Sequence, residues 1–185
     1  MMLFLILAPF GTFAALMLVV SPAASLFSAA AVAVATIGYD LYRGRSVKIL
    51  AAGAALLFTA IGFCLLAGGE GLTDRDIRLA VDLGVLTLAL GSILLRLPFT
   101  LQYARESVPA DTARHPAFMT INYTLSWAWT CAFVAMIIAD LLAVYLPSLP
   151  VWVGLGVAFA ARNSAIFFTR WYPKHRLAQP APQSH

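Results

Sequence analysis

The feature that most constrains this chain is the run 117–146, thirty residues that carry one charged side chain, Asp140. A helix that is apolar on every side is stable only in a protein core or in lipid. At 1.5 Å per residue this one measures roughly 45 Å, against a hydrocarbon core of about 30 Å. It must therefore tilt, bend, or protrude at its polar start, Thr120 to Tyr123. Five further apolar runs share its character: 2–20, 23–38, 49–67, 79–95 and 151–169. None alternates residue by residue, which excludes barrel strands and leaves helices. Charged residues make up 11% of the chain, where a soluble domain carries about 25%. That is too little polar surface to cover a fold in water. The expectation is an all-α, polytopic membrane helix bundle with about six transmembrane helices. It forms one domain over residues 1–172, followed by a disordered cytoplasmic tail, 173–185.

The first run lacks the basic start of a cleaved signal peptide, and a second apolar run follows at once, so it reads as a retained helix bent at Pro9. The second is nearly all Ala, Val and Ser. Such small side chains suit burial among neighbouring helices, although the segment is marginal in length for a crossing. Ser21-Pro22 and the stretch 147–150 read as tight turns, and 68–78 as a polar loop.

The stretch 96–116 is the longest that cannot cross a bilayer. Pro98 suits the first turn of a helix, and Pro109 disfavours helix in the residue before it. Between them, Leu97, Leu101, Ala104 and Val108 fall on one face, and Gln102, Arg105 and Glu106 on another. This pattern predicts a short amphipathic helix lying at the interface, its charges in water. An ordinary polar loop is the alternative.

With six crossings, alternate loops share a side. The loop 39–48, the central loop and the tail hold nine of the twelve Lys and Arg residues, and the opposite side holds only Arg75 and Arg78. The rule that cytoplasmic loops are positive then places both termini and the central loop in the cytoplasm. Membrane lipids are the expected partners of these charges. No basic cluster with interleaved aromatics argues for nucleic acid.

Ionisable groups at membrane depth are costly and usually face protein or water. Asp82 and Asp140 lie within about two turns of the same boundary. They are candidates for proton coupling in one shared site, or are hydrogen-bonded near the headgroups. Arg162 lies deeper, either snorkelling to the surface or joining a polar cluster at the other end of the bundle. The ligand-binding candidates there are Arg96, Gln102, Arg105, Glu106, Asn122, Trp127, Arg162 and Asn163, with Asp40 nearby. Trp127 and Trp129 either pack the core or line a lipid or quinone groove. Gly154 and Ala158, and Gly156, Ala160 and Ser164, form small-residue stripes for close helix packing, within the bundle or between copies in a homo-oligomer. Cys64 and Cys131 read as small buried hydrophobes. No catalytic triad, phosphate loop or metal-spaced histidine pair is present, so the expected catalytic set, metal site and cofactor are none.

Several short motifs give the layout a family likeness. They are Pro9 in the first segment, Ala35-Thr36 closing the second, and the basic loop from Arg43 to Lys48. Next come Leu97-Pro98 followed by Gln102, the run from Ile121-Asn122 to Trp127, and Trp152-Val153 opening the last segment. With these, the chain from about Pro9 to Trp152 resembles the intracellular septation protein A (YciB) family of bacterial inner-membrane proteins. The run from Pro98 to Glu106 marks it as a distant or sister-group member. The resemblance implies a role in cell-envelope maintenance or septation through other inner-membrane proteins, and it carries over no catalytic residue.

The leading expectation is therefore a non-enzymatic membrane protein acting through helix contacts. The alternative is a transporter or binder of a lipid or small amphiphile. A lipid-modifying enzyme is the third possibility. An open polar-lined cavity reaching into the bundle would favour the binder, and a tightly filled bundle would disfavour it.

Overall fold

The computed structural model describes residues 2–68, 71–146, 148 and 150–177. Every regular element among them is helical: α1 (Met2–Leu16), α2 (Pro22–Tyr42), α3 (Ile49–Gly68), α4 (Asp74–Leu94), α5 (Phe99–Ser107), α6 (Ala110–Ala113), α7 (Ala117–Tyr145) and α8 (Val151–Leu177).

Local chemistry sets most boundaries. Ser21 accepts from the Ala24 N–H and Pro22 fills the first helical position, so α2 starts where the Ser-Pro pair implies. It then runs 21 residues to Tyr42, long enough to cross, which removes the doubt over its length. The start of α4 lies five residues earlier than the apolar run suggests. Thr73 and Asp76 form a reciprocal capping box, so the polar stretch 74–78 is helix and not loop. At its other end Arg96 takes φ 58°. Its N–H reaches the Ile93 carbonyl, and the Leu97 N–H reaches that of Ser92. This is a Schellman termination with arginine where glycine is usual.

Four helices, α2, α3, α4 and α7, are long and apolar enough to cross a membrane. Their outward residues are apolar: Leu56, Phe63, Leu83, Val134 and Ile138 all project away from the bundle. The expected first and sixth spans differ from these. Helix α1 has 15 residues, about 22 Å long at 1.5 Å per residue, and stops at Leu16 instead of Val20. Helix α8 has 27 residues, but Arg162, Asn163 and Ser164 interrupt its apolar run. It also continues through Pro173 to Leu177, so residues 173–177 are helix and not tail. The rest of the tail, 178–185, and turn residues 147 and 149 lie outside the described residues.

In space the long helices follow the order α1, α2, α3, α4, α7, α8, each packed on the next. The α3–α4 seam is close at two glycines. A methyl group on Gly84 would lie 2.2 Å from Leu57 Cδ1, and one on Gly53 would lie 2.5 Å from Leu88 Cδ2. Two leucines thus seat into two glycine notches. The core divides in two. One part, around Leu26, Phe58, Val81 and Val85, joins α1 to α4. The other, around Leu50, Phe99, Tyr103, Trp129 and Ala165, sits over α5. Cys64 and Cys131 face outward, contrary to their reading as buried hydrophobes. Of the small-residue stripes, Gly156, Ala160 and Ser164 are exposed, and no atom lies within 4 Å of a methyl placed on Gly154 or Gly156. Neither glycine is a close helix contact within the chain.

Candidate functional site

Helix α5 is the element that shapes the site. The sequence pattern predicts one apolar face on lipid and one polar face in water, but the helix is held on both faces. Phe99, Leu101 and Tyr103 are buried. On one side, the Thr100 hydroxyl donates to the Asn122 carbonyl at 2.8 Å and lies 2.9 Å from the Ser126 hydroxyl, both on α7. On the other side, Gln102 Oε1 accepts the Ile49 N–H at 2.8 Å, satisfying one of the donors that the first turn of α3 leaves open. Four residues on, Glu106 Oε1 accepts from the Ser46 N–H (3.2 Å) and hydroxyl (3.0 Å). The polar face is therefore turned inward to protein partners, and α5 wedges beneath the bundle.

Lys48 is the centre of that junction and is 2% exposed. Its Nζ lies 2.8 Å from Asp40 Oδ2 and 2.7 Å from Glu106 Oε2, and stands 5.8 Å from the centre of the Tyr103 ring. Arg45 completes the set at 3.5 Å from Asp40 and 3.9 Å from Glu106. Two cations and two carboxylates cancel, which is the condition under which charges can be buried together. Burial alone would push the Glu106 carboxyl up. The Lys48 and Ser46 hydrogen bonds and the Lys48 charge outweigh it and hold the group below the usual carboxylate range. Burial, then the Asp40 and Glu106 charges, push the Tyr103 hydroxyl up.

Above α5 is a cavity of about 630 Å³ bounded by α1, α4, α5, α7 and α8. Phe99, Thr100 and Tyr103 line it from α5, Leu125, Trp129 and Phe133 from α7, and Phe10 and Phe13 from α1. Arg75, Arg78, Asp82 and Asp140 line its other end. There the Arg75 guanidinium donates to the Ala143 carbonyl, tying the start of α4 to the end of α7. The carboxyl groups of Asp82 and Asp140 interact with each other, with Arg78 close to both. Volume, apolar walls and sparse polar groups match sites that take small molecules.

The ten candidate residues thus separate. Gln102 and Glu106 join the Lys48 cluster. Asp82 and Asp140 meet at one end of the cavity. Asn122 and Arg162 line it. Four lie elsewhere. Arg96 and Arg105 are exposed, and Asn163 is exposed with its amide turned back to the Phe159 carbonyl. Trp127 is 50% exposed on the outside of α7. Residues two apart on a helix point about 200° apart, so Trp129 takes the cavity wall, its indole N–H donating to the Thr169 hydroxyl at 3.0 Å. Lys48, Ser46 and Tyr103 are the participants the pattern did not single out. The only signal for Lys48 was a lysine set directly before an apolar helix, eight residues after Asp40.

Fold and cavity together define an all-helical, membrane-type bundle with a partly open, largely apolar chamber. No family model matches the chain, and no curated protein or solved structure matches it either.

Proposed function

We propose that this protein is a membrane-embedded binder or carrier of a small amphiphile, held in the chamber between α5 and the Asp82–Asp140 pair. The observation that carries the proposal is the chamber itself: about 630 Å³ with apolar walls, polar groups at both ends, and no side chain filling it. In this proposal α1 and α8 complete six crossings in a bacterial inner membrane, with both termini and α5 on the cytoplasmic side. The excess of Lys and Arg at that end supports the orientation. A transport cycle would load and release protons at Asp82 and Asp140, which line the same chamber.

Gly154 offers the test. It lines the chamber, and a side chain there meets nothing within 4 Å of its first carbon. Gly154→Phe therefore projects a ring into the Asp82–Asp140 end of the chamber from an open position and improves helix propensity. Native mass spectrometry from mild detergent should show a retained amphiphile on the wild type and none on Gly154→Phe. Equal retention by both would refute the proposal.

The second proposal is envelope maintenance or septation through partner proteins. The outward position of Gly156, Ala160 and Ser164 on α8 supports it, because a second helix can approach them closely. Photo-crosslinking from position 160 in membranes should capture a protein neighbour, and recovery of lipid alone would count against it.

A further inference from the structure

Among the described residues three cations line the chamber. Arg75 donates to the Ala143 carbonyl, and Arg78, one turn before Asp82 on α4, is near enough to act on the Asp82 and Asp140 charges without an ion pair within 4.0 Å. Arg162 is the third. It is half-buried, faces the chamber, and has no carboxylate within 4.0 Å and no hydrogen bond among the described residues.

Its depth sharpens the point. Arg162 is eleven residues past the start of α8, about 17 Å along the axis. A guanidinium so far from the end of a membrane helix is costly, and such groups are kept where a counter-charge or water meets them. Among the described residues no carboxylate lies within 4.0 Å of it; Asp140, about one turn of α7 beyond its level, lines the same chamber. The wall on the other side of Arg162 is apolar. The Trp129–Thr169 hydrogen bond fixes the register of α7 against α8. Arg162 lies seven residues from Thr169 on one side and Asn122 seven from Trp129 on the other, so the two are about 21 Å apart along the axis. Between them run Phe133, Trp129 and Leu125.

We infer that Arg162 receives the anionic head, phosphate or carboxylate, of an alkyl-chain amphiphile whose tail lies along the Phe133–Trp129–Leu125 wall toward Asn122. A planar guanidinium pairs with either oxyanion through two parallel hydrogen bonds. The inference rests on the amphiphile proposal above and adds the charge and position of the head.

The test uses the full chain in phosphatidylcholine nanodiscs, with empty nanodiscs as reference. Saturable binding of radiolabelled dodecyl phosphate, dodecanol and inorganic phosphate is measured for wild type, Arg162→Gln, Arg162→Lys and Gly154→Phe. Each variant is checked for wild-type helicity and elution volume. The expected result is dodecyl phosphate bound roughly tenfold or more tightly than dodecanol. Arg162→Gln should lose that preference and Arg162→Lys should retain most of it, while inorganic phosphate should fail to compete. Equal binding of dodecyl phosphate and dodecanol, unchanged in Arg162→Gln, would overturn the anion assignment and leave the chamber as an amphiphile site. A preference that persists in Arg162→Gln would overturn it too. Competition by inorganic phosphate at equal affinity would make Arg162 a free-anion site, against the inference. No saturable binding of either alkyl probe would overturn both proposals.

Discussion

Replacing Lys48 with methionine tests the junction that holds α5 under the bundle. Methionine keeps the unbranched stem against Tyr103 and removes only the charge. The loss is two short contacts, at 2.8 and 2.7 Å, to carboxylates that are themselves 13% and 19% exposed. Removing one partner of a buried pair costs about 3–5 kcal/mol, because the remaining charge is stranded. Arg45 stays near both acids at 3.5 and 3.9 Å, and both keep some water, so the loss here falls to roughly 2–3 kcal/mol. For a chain of this size that is a fall of about 5–10 °C in melting temperature, read by intrinsic fluorescence in detergent. Adding Glu106→Gln removes one stranded charge. The double variant should therefore be less destabilised than the sum of the singles, by about 1 kcal/mol or more. Release of α5 should also speed tryptic cleavage after Arg105 and Arg114, both exposed in the central segment. A Lys48→Met melting temperature within 2 °C of wild type, or strict additivity with Glu106→Gln, would refute the argument that this cluster holds the helix.

Other changes follow from the same geometry. Gly84→Ala forces a methyl against Leu57 and should lose about 1–3 kcal/mol in thermal denaturation. Gly91→Ala on the same helix meets nothing within 4 Å and should gain up to about 1 kcal/mol. Arg96→Gly relieves a left-handed residue at the end of α4 and should raise stability by roughly 1 kcal/mol in the same assay, whereas Arg96→Val should lower it. The Glu106 carboxyl lies below its ordinary value in the folded protein, so its contribution is fully present above about pH 5 and disappears as pH falls through the lower folded value. The stability difference between wild type and Glu106→Gln should thus be flat from pH 8 to pH 5 and shrink only in stronger acid.

What the sequence discloses here is what local physics decides. Long apolar runs specify membrane-type helices, and Ser21-Pro22 and the Thr73–Asp76 pair mark helix starts through caps that involve only near neighbours. The common depth of Asp82 and Asp140 follows from counting residues along their helices. Amphipathicity is less informative for α5, because a polar face shows that polar partners exist without saying whether they are water or protein. Gln102 meets the open N–H of Ile49, and Glu106 meets Ser46 and Lys48, more than fifty residues away in sequence. Lys48 reads as one of the charges that orient the chain, yet it is the most deeply buried of them, neutralised by acids from two other helices. The exchange of Trp127 for Trp129 is a matter of helix phase. That phase is set by which side of α7 meets α4 and α8, and α7 is too uniformly apolar to reveal it.

The most direct test of the account is a crystal structure of the full chain grown from a lipidic mesophase without added ligand. It should show elongated density along the Phe133–Trp129–Leu125 wall, with its head against Arg162 and α5 still latched through Lys48. A chamber closed by contact between α1 and α8, with Arg162 turned out to the membrane surface, would contradict it.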